Sequence, residues 1–172
     1  MEEKTKVALL GLDHQKISSV IEKINGTRPV EGYAFTDLKD FLSHCVEHKP
    51  DIVGFSVSYP HKSIIQFPTV FKSALGVQVI IFGENQELKA RKLLGTIKAD
   101  FKISGLITAH NLWMKIISCQ KTKEDEVALS GGSMSENKNT GLGNAVHLKG
   151  SDEVKLTKDK NSLLNSLLAG LG

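Results

Sequence analysis

The chain has 172 residues, 40% hydrophobic and 24% charged, and its 22 Lys and Arg against 19 Asp and Glu leave a formal net charge of +3. That length admits one domain of ordinary size plus a tail and cramps two, and the interspersed charge excludes the basic stripe of a nucleic-acid binder. The charged opening "MEEKTK" is unlike a secretory leader, no run approaches a membrane span, and Cys45 and Cys119 form no metal or disulfide spacing, so a reducing cytoplasm is the simplest compartment.

"KVALLGL" (Lys6 to Leu12) reads as a strand, and Asp13 as the N-cap of a helix with Ile17, Val20, Ile21 and Ile24 at helical spacing. "NGTRP" punctuates, "VEGYAF" gives a second strand, and Asp37 opens a helix with Leu38, Phe41, Leu42, Cys45 and Val46 on one face. "DIVGFSV" and "VQVIIF" (Val77 to Phe82) are continuously apolar, as strands of a parallel sheet covered on both faces are. Between them Pro68 interrupts a helical pattern. Because proline suits a first turn and not an interior, the regular helix is expected only from about Pro68 to Leu75, behind a longer loop. A helix around Gln86 to Leu94, the strand "DFKISGLI", and a helix from Thr108 carrying Ala109, Leu112, Trp113, Ile116 and Ile117 inward complete the series.

Five β/α units in this order predict an α/β, flavodoxin-like three-layer sandwich with a five-stranded parallel sheet over residues 1–120. Residues 121–160 are rich in Gly, Ser, Asn and mixed charge and predict a flexible linker, although "KTKEDE" has the character of a solvated helix end. The last segment, 161–172, predicts a short amphipathic helix with Leu163, Leu164, Leu167, Leu168 and Leu171 on one face. It is too short to be stable alone and is read as docking, on a partner in preference to its own domain.

The segment "HKPDIVGFSVSYPHKS" resembles the third strand and following loop of response-regulator receiver domains. In that family a Pro-Asp pair opens the strand, the phosphoacceptor aspartate follows six residues after the proline, and another proline comes four residues later. Those positions hold Pro50, Ser56 and Pro60. "VQVIIFGE" resembles the fourth strand with Gly83 and Glu84 where the family has a Thr or Ser and a small residue. "KADFKISGLI" resembles the fifth, with Gly105 and Leu106 in place of Lys-Pro. At the family's acidic pair after the first strand stand Gly11 and Leu12, with Asp13 alone nearby. Receiver chemistry needs a carboxylate nucleophile and clustered carboxylates for magnesium. The resemblance therefore implies a pseudo-receiver that keeps the fold without phosphotransfer and is not an enzyme. No metal or cofactor is expected. Its protein-binding surfaces would lie around the fourth and fifth helices, as the family uses, and on the tail.

"PDIVGFSVS" is also similar to the central strand of cobalamin-binding domains, in which a serine at the place of Ser56 contacts the cofactor. That alternative makes the chain a small-molecule sensor at the carboxyl edge of the sheet, with His14, Ser58 and His61 as a ligand loop. Against it, Asp13-His14 has no following glycine and "FGEN" replaces the family's glycine pair. His44, Cys45 and His48 cluster on the second helix, but both histidines point off the buried stripe and are read as solvated, as His110 is read as a loop residue. "SGGSMS" and "NTGLGN" lie between no strand and helix and cradle no phosphate. The leucine face lacks the basic neighbours a membrane anchor needs.

Overall fold

Among the described residues up to Ser130, the alternating apolar runs and amphipathic stretches of the sequence become five strands and five α-helices in succession. The computed structural model describes residues 3–84, 88–130, 162 and 165–169. The elements are β1 (Thr5–Leu10), α1 (His14–Thr27), β2 (Val30–Phe35), α2 (Leu38–His48), β3 (Ile52–Ser56), α3 (Phe67–Leu75), β4 (Gln78–Gly83), α4 (Leu88–Thr96), β5 (Phe101–Leu106) and α5 (Ala109–Ser130). All strand pairs are parallel and the order is β2-β1-β3-β4-β5, the expected flavodoxin-like arrangement.

The period-2 alternation of strand side chains divides the core between the two faces. Ala8, Leu10, Val53, Phe55, Val79 and Ile81 face α2, α3 and α4, whose Phe41, Phe67 and Phe71 share that cluster. Val7, Leu9, Ile52, Ile80 and Phe82 face α1 and α5, meeting Ile17, Ile21, Leu112 and Ile116. Every residue of β3 is buried, as its uninterrupted apolar sequence requires of a central strand. The first face is set by aromatic edges, with Phe55 5.2 Å from Phe67 and Phe67 5.3 Å from Phe71 between ring centroids.

Local signals act where the sequence places them. Asp13 and Asp37 cap α1 and α2, accepting from the backbone N–H of Lys16 at 3.1 Å and of Asp40 at 3.0 Å. Pro68 sits in the first turn of α3, behind a 3-10 turn at Ile64–Gln66. Burial pushes the thiols of Cys45 and Cys119 up to about 12, which leaves both as inert core groups.

Three expectations need correction. The helix α5 does not stop at Gln120 but runs on to Ser130, so the linker cannot begin at residue 121; its polar, mixed-charge sequence suits an exposed helix, and residues 121–129 are exposed throughout. Residues 131–160 lie outside the described residues. Secondly, His44 is not a solvated side chain. β2 is an edge strand, and His44 packs on its Tyr33 at 4.5 Å and Phe35 at 5.0 Å, with the ring of His48 stacked above at 4.3 Å. Thirdly, Ile117 does not join the inner stripe of α5: Leu112, Ile116 and Cys119 are buried there, Ala109 and Trp113 pack half-buried against the same cluster as expected, and the Arg28 guanidinium lies 5.1 Å over the Trp113 ring.

Burial, and then the neighbouring His48, hold the His44 pKa below its ordinary value, outweighing the opposite pull of Glu47 and Glu31. The folded state thus favours the neutral ring, and below about pH 6.5 the unfolded chain binds the extra proton. Urea unfolding at descending pH is expected to show stability falling through this range, and a His44→Gln variant is expected to have a shallower fall.

Candidate functional site

The carboxyl ends of β1, β3 and β4 converge where an α/β sheet of this order keeps its chemistry. Ser56, the last residue of β3, is fully buried, and its Oγ accepts from the Ser58 N–H at 3.2 Å. The hydroxyl therefore closes a local turn. β3 lies between β1 and β4, so residues that leave those two strands can meet across its end.

They meet through Glu84. This residue follows β4, is only 4% exposed, and turns its carboxylate to the chain leaving β1. Leu12 N–H donates to Oε1 at 2.9 Å and to Oε2 at 3.0 Å, and Asp13 N–H donates to Oε1 at 3.1 Å. Lys16, on the first turn of α1, donates from Nζ to the Glu84 carbonyl at 2.9 Å and lies 4.0 Å from Asp13 Oδ2. The buried carboxylate thus has two backbone donors, the compensation such a group requires, while the Lys16 ammonium holds the backbone of the same residue.

Small neighbours provide the space. A Cβ at Gly11 would come within 2.5 Å of Glu84 Oε1 and nearer still to Ile17 Cδ1, so glycine there is a condition for the carboxylate's position. Gly83 ends β4 and its carbonyl accepts from Ile107 N–H at 3.3 Å. Gly105 has φ +87 beside a register shift between Ile81 and Gly83, a left-handed conformation that suits glycine, and both Gly105 and Leu106 are exposed. The fifth strand thereby ends in an outward bulge. Asn111 holds this end, accepting from Thr108 N–H at 2.7 Å and donating to the Leu106 carbonyl at 2.7 Å.

The remaining candidates are scattered. His14 is exposed on α1 and shares a hydrogen bond with Ser18 Oγ at 3.3 Å. His61 accepts at Nδ1 from Ser63 N–H at 3.1 Å and lies 5.1 Å from the ring of Phe67, so it shapes the turn before α3. Ser58 and His61 line a cleft of about 340 Å³ with Tyr59, Ile64, Ala90 and Leu93, and His14 and His110 do not line it. Among the described residues no group of His, Cys, Asp or Glu could hold a metal ion. The cobalamin alternative gains no support, because Glu84 stands at the glycine-pair position with its side chain turned into the site.

Leu167 is 1% exposed and belongs to the cluster on the α2, α3 and α4 face, with Leu168 half-buried against it. The outward, partner-facing role expected of these two is thus corrected: the apolar face of the segment at 165–169 meets the chain's own core. Leu163, Leu164 and Leu171 lie outside the described residues.

Sequence reading placed Glu84 at a position of loss and missed its reach to β1, and it missed Lys16 altogether. The available signal was the coincidence of one acidic residue after β4 with small residues at Gly11, Ser56 and Gly83. Replacing Glu84 by Ala leaves the Leu12 and Asp13 N–H groups without their acceptor. The variant is expected to lose about 1–3 kcal/mol in urea unfolding, and Gly11→Ala is expected to be destabilising by displacing the same carboxylate.

No protein-family model matches the chain, and no curated protein matches it. Solved structures do. The CheY-like response regulator receiver domain protein from Methanospirillum hungatei JF-1 has a TM-score of 0.58 at 15% identity, covering 72% of this chain and 98% of that one. The signal receiver domain of a response regulator from Bermanella marisrubri gives 0.54 at 14%, covering 67% and 98%. The receiver domain of the Francisella response regulator 1452 gives 0.56 at 15%, covering 70% and 99%. Likeness at such identities speaks for the fold alone, and that fold is the receiver-like one which the strand order and the spacing around Ser56 implied.

Proposed function

We propose that this domain is a phosphorylation-independent pseudo-receiver, a non-enzymatic module of a signalling or scaffold assembly. The observation that carries the reading is the Glu84 carboxylate on the Leu12 and Asp13 N–H groups, 2.9 to 3.1 Å away. A receiver needs carboxylates at the ends of β1 and β3 to hold magnesium and to take the phosphoryl group. Here the end of β1 offers backbone donors to a resident anion, and the end of β3 offers a buried serine hydroxyl that cannot form an acyl phosphate.

The bulge at Gly105 fits the same account. A receiver places a lysine beside its phosphate, and this chain turns exposed glycine and leucine outward there. With phosphoacceptor, metal set and counter-cation all replaced, binding surfaces remain as the way the domain acts. Leu106 at 40% exposure and Met114 at 49% are apolar side chains left open at the end of β5 and on α5, which supports a partner surface on that side. No described helix is long and apolar enough to cross a membrane.

Incubation with magnesium and acetyl phosphate, followed by intact mass measurement, tests the reading. The expected mass is unchanged, and beryllofluoride with magnesium is expected to leave the Trp113 fluorescence unaltered. A stoichiometric phosphoryl adduct, or a saturable magnesium-dependent change in fluorescence, would overturn it.

A further inference from the structure

The C-terminal segment returns to the domain. Leu167 is as buried as the aromatic residues of the core, and Leu168 packs beside it, while Ser162, Asn165 and Ser166 are exposed. Of the two sheet faces it joins the one covered by α2, α3 and α4, whose partly buried rim includes Tyr59, Leu93 and Leu94. On the described residues, one leucine is the anchor and one a flank.

We infer that the segment around Leu167 is a reversible cap: it occupies in cis an apolar site on the α2, α3 and α4 face that accepts a leucine-anchored amphipathic helix. Three observations point to this occupant. Leu167 is already seated on the face. Ser162, Asn165 and Ser166 are polar and exposed while Leu167 and Leu168 turn to the domain, so one side of the segment is shaped for burial. The segment is joined to the end of α5 through residues 131–161 of the same chain, which makes its docking intramolecular and raises its effective concentration far above that of a free helix of equal affinity. A leucine anchor on a tether holds the site closed in cis yet yields to a partner helix that binds the same face more tightly. The site lies on the face opposite α1 and α5, and the inference does not depend on the fate of phosphotransfer.

The test uses the full-length chain. A fluorescein-labelled peptide of residues 160–172 is titrated, by anisotropy, into the wild-type protein and into a Leu167→Asp variant. The vacated site of the variant is expected to bind the peptide at least about tenfold more tightly than the wild type, whose own segment competes. A peptide carrying the same substitution is expected not to bind. Equal binding to both proteins, or binding to neither, would overturn the cap. Loss of the cooperative thermal transition in Leu167→Asp would also overturn it, because Leu167 would then be permanent core. A wild-type dimer by sedimentation that dissociates in the variant would replace the in-cis occupant with a second copy.

Discussion

A single buried carboxylate organises the carboxyl edge of this sheet. Glu84 leaves β4 and accepts hydrogen bonds from the two residues that follow β1, so it ties together the strands on either side of β3. A charge that is 4% exposed is tolerated only where donors surround it, and it cannot leave without stranding the Leu12 and Asp13 N–H groups. The start of α1, capped by Asp13 and steered by Lys16, is thereby fixed to the end of β4. The edge is built to stay in one arrangement.

This interaction gives the individual substitutions a common cause. Gly11, Ser56 and Gly83 each look like the loss of a functional side chain when taken alone. Of the three, Gly11 is sterically required by the Glu84 side chain, since a Cβ there would come within 2.5 Å of Oε1. The site thus contains an internal anion held by the Leu12 and Asp13 N–H groups, with Lys16 bonded to the backbone carbonyl of the same residue. The sheet order follows from buried aliphatic and aromatic packing, and that packing does not fix which residues stand at its carboxyl edge.

Much of the fold was legible because its signals are local and repeated. The apolar run of β3, the caps Asp13 and Asp37, and the position of Pro68 each determine an element with little help from distant residues. The end of α5 was misread, since the sequence from Lys121 lacks an apolar stripe and its exposed helix leaves no burial pattern to read. His44 was misread for a related reason, as its partners Tyr33 and Phe35 come from an edge strand whose outer cover the helix spacing does not reveal. At the site, the altered positions could be listed from spacing, but the bond from Glu84 to Leu12 spans 72 residues of sequence and depends on which strands flank β3. The seating of Leu167 was equally illegible, because an amphipathic helix declares its apolar face and not the surface that covers it.

The most direct test of this account is amide hydrogen exchange, read by NMR, at Leu12 and Asp13 in the wild type and in Glu84→Ala. Among the described residues Glu84 is the acceptor for both amides. They are predicted to be protected in the wild type and to exchange at exposed-loop rates in the variant, while amides in the β1–β3 ladder stay protected. Fast exchange of both amides in the wild type, or protection that survives removal of the carboxylate, would contradict the claim that Glu84 holds this site.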